Sequence, residues 1–347
     1  MGVKRKTFIK VFAVLGSLLL VAGLALFIAG MAGAGWDFSV LNTVRYTEKT
    51  YLAEGTVTSL RIEYSDAALL VGYSETAETV RIDYPVRLNE RNEETAQIEI
   101  LEENGTLTVI EHTEWEKNIF QWNLGNSPTV RVVLPAGEYA LDLQTDNGSI
   151  LVAAGGEASF SELSLSSANG NIELKTSGAA IGGDAEFKTE NGSISVANID
   201  AEGALTLRSS NGEVRAENIS ATEIAARSSN GSLKLTEASA ENALTAETDN
   251  GAIELCGTIA AKTLRGETTN GAIAMKDGLI TVQEVSLSSV NGEIFMKNSC
   301  FSGTQSDYTV QVSAGTGNAN VSDSAGGSKK MFLSTHTGSI RVFFEVS

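Results

Sequence analysis

The 347-residue sequence predicts an all-β chain: a β-solenoid, similar to a parallel β-helix, of about ten coils behind an N-terminal β cap, with one transmembrane helix ahead of both. Three observations carry this expectation. The dipeptide Asn-Gly recurs at Asn147, Asn169, Asn191, Asn211, Asn230, Asn250, Asn270 and Asn291, at intervals of 19 to 22 residues. Each Asn sits in the same surroundings, with a hydroxyl two residues before it and an aliphatic residue three after. An uncharged run of 25 residues, Val11 to Gly35, follows Lys4, Arg5, Lys6 and Lys10.

Residues 1–10 form a basic N-terminus, and residues 11–35 form the apolar segment. That segment exceeds the roughly 20 residues that span a bilayer and the 7 to 15 of a signal-peptide core, so a retained anchor is favoured over a cleaved signal. Ala32-Gly33-Ala34 nevertheless resembles a cleavage site. Basic residues ahead of the span place the N-terminus in the cytoplasm and the rest of the chain outside the cell. Gly16, Gly23 and Gly30 offer a small-residue face for helix packing, although such residues are common in membrane spans.

Residues 36–137 carry strands at irregular spacing. Leu60–Tyr64, Val80–Tyr84, Gln97–Leu101 and Thr106–Ile110 alternate apolar with polar residues, and Thr129–Leu134 runs up to Pro135. This section is expected to be an antiparallel cap or the first, distorted coils, since a solenoid needs its open strand edge covered. Within it, Trp115 to Trp122 breaks the alternation and holds two of the three Trp residues. Exposed aromatics beside acids and amides suit a sugar or protein contact, whereas a loop folded over the end of the rod suits a plug. Trp115 and Trp122 are therefore candidate contact residues.

Residues 138–347 are the repeats. An interval near 20 residues is too short for a strand-helix-strand crossover of about 30, so each unit is strand, Asn-Gly bend, strand. The aliphatic column reads Ile150, Ile172, Ile194, Val214, Leu233, Ile253, Ile273 and Ile294, and the alternation around it is that of a strand with one buried face. The hydroxyl column reads Thr145, Ser167, Thr189, Ser209, Ser228, Thr248, Thr268 and Ser289. Stacked hydroxyls and stacked Asn amides are expected to hydrogen-bond along the rod as a turn ladder, with Gly supplying a positive φ at the bend. A rival reading makes the polar columns an outward array for a flat lattice such as ice or polysaccharide, or a catalytic row. Thr316-Gly317 and Thr337-Gly338 continue the pattern without Asn, so the last coil, at Arg341–Val346, should close the far end.

Composition narrows the chemistry. All 43 acidic residues follow residue 36 against 21 of the 25 basic ones, leaving that part at −22, which argues against nucleic acid as a partner. The two cysteines, Cys256 and Cys300, fall two coils apart, about 10 Å along the rod, which is too far to bridge. His112 and His336 are the only histidines and lie far apart in sequence, so a His-based triad or two-His metal site is not expected. Paired carboxylates could serve a polysaccharide enzyme, but nothing distinguishes one pair among 43 acids. No catalytic residue, cofactor or metal ligand is assigned.

The chain resembles a bacterial family. Gly35-Trp36-Asp37-Phe38 after an apolar segment, Val130–Pro135 closing a strand section, and repeated Ser/Thr-x-Asn-Gly-x-Ile units are similar to the putative-adhesin, β-strand-repeat domains of unknown function. The resemblance covers nearly everything after residue 36. It implies the solenoid architecture, with no catalytic or binding residues to carry over, and related anchored proteins accompany envelope-stress regulators. The expected function is a non-catalytic, membrane-anchored surface protein that contacts cell-wall polymer or another surface protein. An accessory role in envelope-stress signalling and a polysaccharide-active enzyme are the alternatives.

Overall fold

The computed structural model describes residues 29–30, 32–33, 35–36, 45–88, 91–94, 97–112, 128–154 and 158–345. No helix among the described residues is long and apolar enough to cross a membrane. Residues 11–28, 31 and 34 of the expected anchor lie outside the described residues.

All described strands join one continuous sheet wound into a solenoid. Each coil has one strand ahead of the Asn-Gly bend and one after it, and each pairs in parallel with its counterpart in the neighbouring coil. Ahead of the bend, Ala185–Thr189 pairs with Ala158–Ser167 on one side and Ala204–Ser209 on the other. After it, Ile194–Ala201 pairs with Ile172–Ile181 and with Val214–Ser228. The register is that of the repeat: Ile172, Ile194, Val214, Leu233, Ile253, Ile273, Ile294 and Ile340 stack in one column, each buried. The alternation drives this packing, because a one-residue slip would turn every apolar side chain to solvent.

A second corner follows the bend by seven residues. Asn198, Asn218, Glu237, Gly257, Asp277 and Asn298 hold positive φ there, and beyond it Ile199, Ile219, Ala238, Ile259, Ile280 and Phe301 turn back into the core. The coil is thus three-sided, and the left-handed backbone lies at this corner. The column glycines Gly148 to Gly292, expected to supply positive φ, do not occupy that region.

About nine complete turns stack in this way, from Asn147 to Thr337, against about ten expected. The unit at Thr316-Gly317 has a first strand, Tyr308–Ala314, but only an isolated bridge, Ala319 to Ile340, after its bend. Nine turns at about 4.8 Å give a stack of roughly 40 Å.

Both ends depart from chain order. Lys329–Thr335 lies between Glu284–Ser289 and Tyr308–Ala314, parallel to both, so the last coil of the sequence is inserted beneath the one before it. The expectation that Arg341–Val346 closes the rod is therefore corrected. The end coil is Tyr308–Ala314, and its outer edge is covered by the returning loop: Val310 and Ser324 exchange both backbone hydrogen bonds at 3.0 Å, and Asp323 accepts from the Val312 N–H at 2.8 Å. At the other end Ser59–Tyr64 lies between Thr106–His112 and Gly137–Thr145, and Ala68–Tyr73 lies between Thr129–Leu134 and Ile150–Ala154. Antiparallel strands finish this cap, Gln97–Glu103 on Thr106–His112, and Arg45–Leu52 on Arg81–Leu88. Cys256 and Cys300 are free thiols, and burial pushes the Cys256 thiol up.

Candidate functional site

Three parallel columns, hydroxyl, glycine and asparagine, line the Asn-Gly corner. The innermost is the hydroxyl column, buried in every coil from Thr145 to Ser289 and continued by Thr335. Thr145 donates to the Ala67 carbonyl at 2.9 Å, and each later hydroxyl donates to the carbonyl of the column glycine one coil below, for example Ser167 to Gly148 at 2.9 Å, Thr189 to Gly170 at 3.0 Å and Thr335 to Gly292 at 2.8 Å. The six from Thr145 to Thr248 also accept from the glycine N–H of their own bend, as Ser209 does from Gly212 at 2.8 Å. The hydroxyls do not bond to one another. They bridge the backbone between coils, which satisfies a buried carbonyl and a buried N–H that strand pairing leaves at the corner.

The glycine column explains itself by crowding. A Cβ on Gly170 would overlap the carbonyl oxygen of Gly148, one on Gly192 that of Gly170, and so on up to Gly338 over Gly292. The bend brings successive backbones so close that only glycine fits.

The outermost column is exposed. Asn169 donates its Nδ2 to Asn147 Oδ1 at 2.7 Å, and the same bond repeats through Asn191, Asn211, Asn230, Asn250, Asn270 and Asn291 at 2.7 to 2.8 Å. Asn147 donates to Asp66 at one end, and Thr337 donates to Asn291 at the other. The structure brings all eight Asn side chains into one amide ladder. Trp115 and Trp122 lie outside the described residues.

Beside the ladder, the outward face of the strands ahead of the bend holds a groove of about 530 Å³ running across successive coils. Lys188, Arg208 and Arg227 stand in register on adjacent strands, followed by Glu247 and Glu267. Arg227 pairs with Glu247 at 2.9 Å, and Arg265 pairs with Glu247 at 3.2 Å and with Glu267 at 2.6 Å. Lys188 and Arg208 form no ion pair among the described residues. Like charges directly opposite on neighbouring strands are destabilising, so the row carries a cost in self-repulsion that, among the described residues, only Arg227 offsets, through Glu247. Its signal in the sequence is a basic residue three before Asn191, Asn211 and Asn230, which a search for acidic or hydroxyl patterns passes over.

A second polar cluster lies in the cap. Tyr64 takes the place of the column hydroxyl in the first coil, and its OH is buried without a hydrogen-bond partner among the described residues. Glu111 accepts from the Ser65 N–H at 3.0 Å. Burial, aided by Asp66 and Asp146 and opposed by Arg87, raises the Glu111 carboxyl above the usual glutamate range. Glu102, by contrast, accepts from the Glu54 and Gly55 N–H groups, which hold its carboxyl below that range. Among the described residues no group of three or more His, Cys, Asp and Glu is placed to hold a metal ion.

The family model described as Toastrack DUF4097 matches residues 57–258, more than half of the chain. The chain belongs to this family. The matched span starts just ahead of the first inserted coil and ends after the second corner at Gly257, so the family signature covers the amide ladder through Asn250 and the whole cationic row. A putative adhesin from Bacteroides fragilis NCTC 9343 is similar at 12% identity, over 86% of this chain and 96% of its own, with a TM-score of 0.33. A putative cell adhesion protein from Clostridium sporogenes ATCC 15579 aligns at 8% identity over 87% and 100%, with a TM-score of 0.20. A putative adhesin from Parabacteroides distasonis ATCC 8503 aligns at 10% identity over 86% and 97%, with a TM-score of 0.27. No curated protein matches the chain.

Proposed function

We propose that this chain is a non-catalytic, membrane-anchored β-solenoid displayed outside the cell, which contacts cell-wall polymer or another surface protein through the groove beside its amide ladder. The cationic row carries this reading. Lys188, Arg208 and Arg227 stack on successive coils, two of them without an acidic partner among the described residues, in a chain whose net charge is −18. A cost in self-repulsion is offset when an anionic group sits across the row. The groove is open and lies along the rod, which suits a linear polymer bearing carboxylates or phosphates more than a small substrate held for reaction.

The test is a pull-down of the purified chain on wall fragments and on envelope extracts at two salt concentrations. Binding that weakens with salt and is lost in a Lys188→Ala, Arg208→Ala, Arg227→Ala variant is the expected outcome. Retention of binding by the folded triple variant overturns the assignment of the groove, and absence of any interaction overturns the binding role. A glycan-release screen with the same preparation should be silent, and release of sugar would return the chain to the enzymes.

A further inference from the structure

Asn-Gly occurs nine times, eight at the solenoid corner and once at Asn104-Gly105. It is the dipeptide at which a backbone nitrogen most easily attacks the preceding side chain, because glycine places no Cβ beside that nitrogen. The attack needs a Gly nitrogen released from hydrogen bonding and an Asn side chain able to swing towards it.

At the corner both requirements are opposed. The N–H groups of Gly148, Gly170, Gly192, Gly212, Gly231 and Gly251 donate to their column hydroxyls at 2.8 to 3.2 Å. The preceding Asn side chains are held by ladder bonds on both sides, as Asn211 is between Asn191 and Asn230. Asn104-Gly105 differs on both counts. It is the turn between Gln97–Glu103 and Thr106–His112, with φ of 51° and 78°, and Asn104 is exposed. Among the described residues neither the Gly105 N–H nor the Asn104 amide has a hydrogen-bond partner.

We propose that Asn104 is the deamidation site of this chain, and that the stacked corner protects the six Asn-Gly pairs from Asn147 to Asn250, whose glycine N–H is bonded. The Gly105 nitrogen loses its proton to solvent base and bonds to Asn104 Cγ, and the Cγ–NH2 bond breaks with release of ammonia. Water then opens the resulting succinimide at either carbonyl, leaving Asp or an isoaspartate whose main chain runs through the β-carbon. The product lies where it matters for the cap. Gly105 O accepts from the Thr58 and Ser59 N–H groups at 2.8 and 3.0 Å, so an added main-chain carbon in this turn disturbs the seat of the first inserted coil.

The experiment ages the full chain at mildly alkaline pH and maps Asp and isoaspartate at all nine sites by mass spectrometry. Conversion at Asn104 is expected to be at least about tenfold faster than at Asn147, Asn169, Asn191, Asn211, Asn230 and Asn250, the factor that one or two hydrogen bonds supply. In urea the nine rates should converge. A Ser228→Ala variant, which removes the acceptor of the Gly231 N–H, should accelerate Asn230 and leave Asn169 unchanged. Equal rates in the folded chain overturn the proposal, as does a difference that persists in urea, since local sequence and not the fold would then set it.

Discussion

Glycine and asparagine stand side by side at the corner, yet the structure gives them unequal burdens. Gly212→Ala forces a Cβ into the Gly192 carbonyl, a collision with backbone that no rotamer relieves. It should cost at least about 3 kcal/mol, read as the shift of a urea midpoint. Asn211→Ala removes exposed ladder bonds and should cost only about 1 kcal/mol in the same titration. Thr189→Val keeps the shape but strips the partners of the Gly170 carbonyl and the Gly192 N–H, so about 2 to 3 kcal/mol is expected. Glu111 adds a pH signature. Its carboxyl is raised on folding, so the folded state prefers it protonated, and stability falls as pH rises from about 4.3, the ordinary value, through the raised one. Glu111→Gln should therefore raise the melting temperature at neutral pH and leave it nearly unchanged at pH below that window. A variant that melts lower at neutral pH would show that the Ser65 contact outweighs burial.

At the scale of elements, the inserted coils set how the rod ends behave. Met331 and Leu333 are buried although they lie close to the C-terminus, because Lys329–Thr335 has a strand on each side. In a stack that followed chain order, deletion of residues 329–347 would remove one end coil and expose its neighbour. Here it empties an interior slot, leaving Val285, Leu287 and Val310 uncovered and two strand edges unpaired. The truncated chain should aggregate or run as higher oligomers in size-exclusion chromatography with light scattering, while a clean monomer would show that the end coil reseats on Glu284–Ser289. The apolar alternation of each strand was legible in the sequence. The exchange was not, since Ser288 stacks as readily on Ser313 as on Ser334 when every coil presents the same register.

For the whole molecule, stability is nearly one-dimensional: each coil contacts only its neighbours, and the core is one coil wide. Charge acts over longer distances. Relief of the cationic row by Arg208→Ala should leave the melting temperature equal or slightly higher at low salt, and the difference should vanish as salt screens it over about 10 Å. A marked loss of stability at low salt would mean that Arg208 has a structural partner after all, and would remove the main support for the groove as a contact face.

The sequence by itself determined the period, the coil, the apolar columns and the hydroxyl column, because these contacts are local or repeat identically and leave the same residue in every unit. The eight Asn of the turn ladder were legible for that reason. The second corner, absent from the strand, bend, strand unit that the repeat suggests, leaves a weaker signal in Asn198, Asn218, Gly257, Asp277 and Asn298 seven residues after the bends, where Glu237 keeps the spacing but not the residue type. Tertiary structure alone decided which coil lies on which, why the bend demands glycine, and which cations face one another. Those depend on the distance between backbones that are neighbours in space, and a column of equivalent residues does not encode which neighbour it will meet.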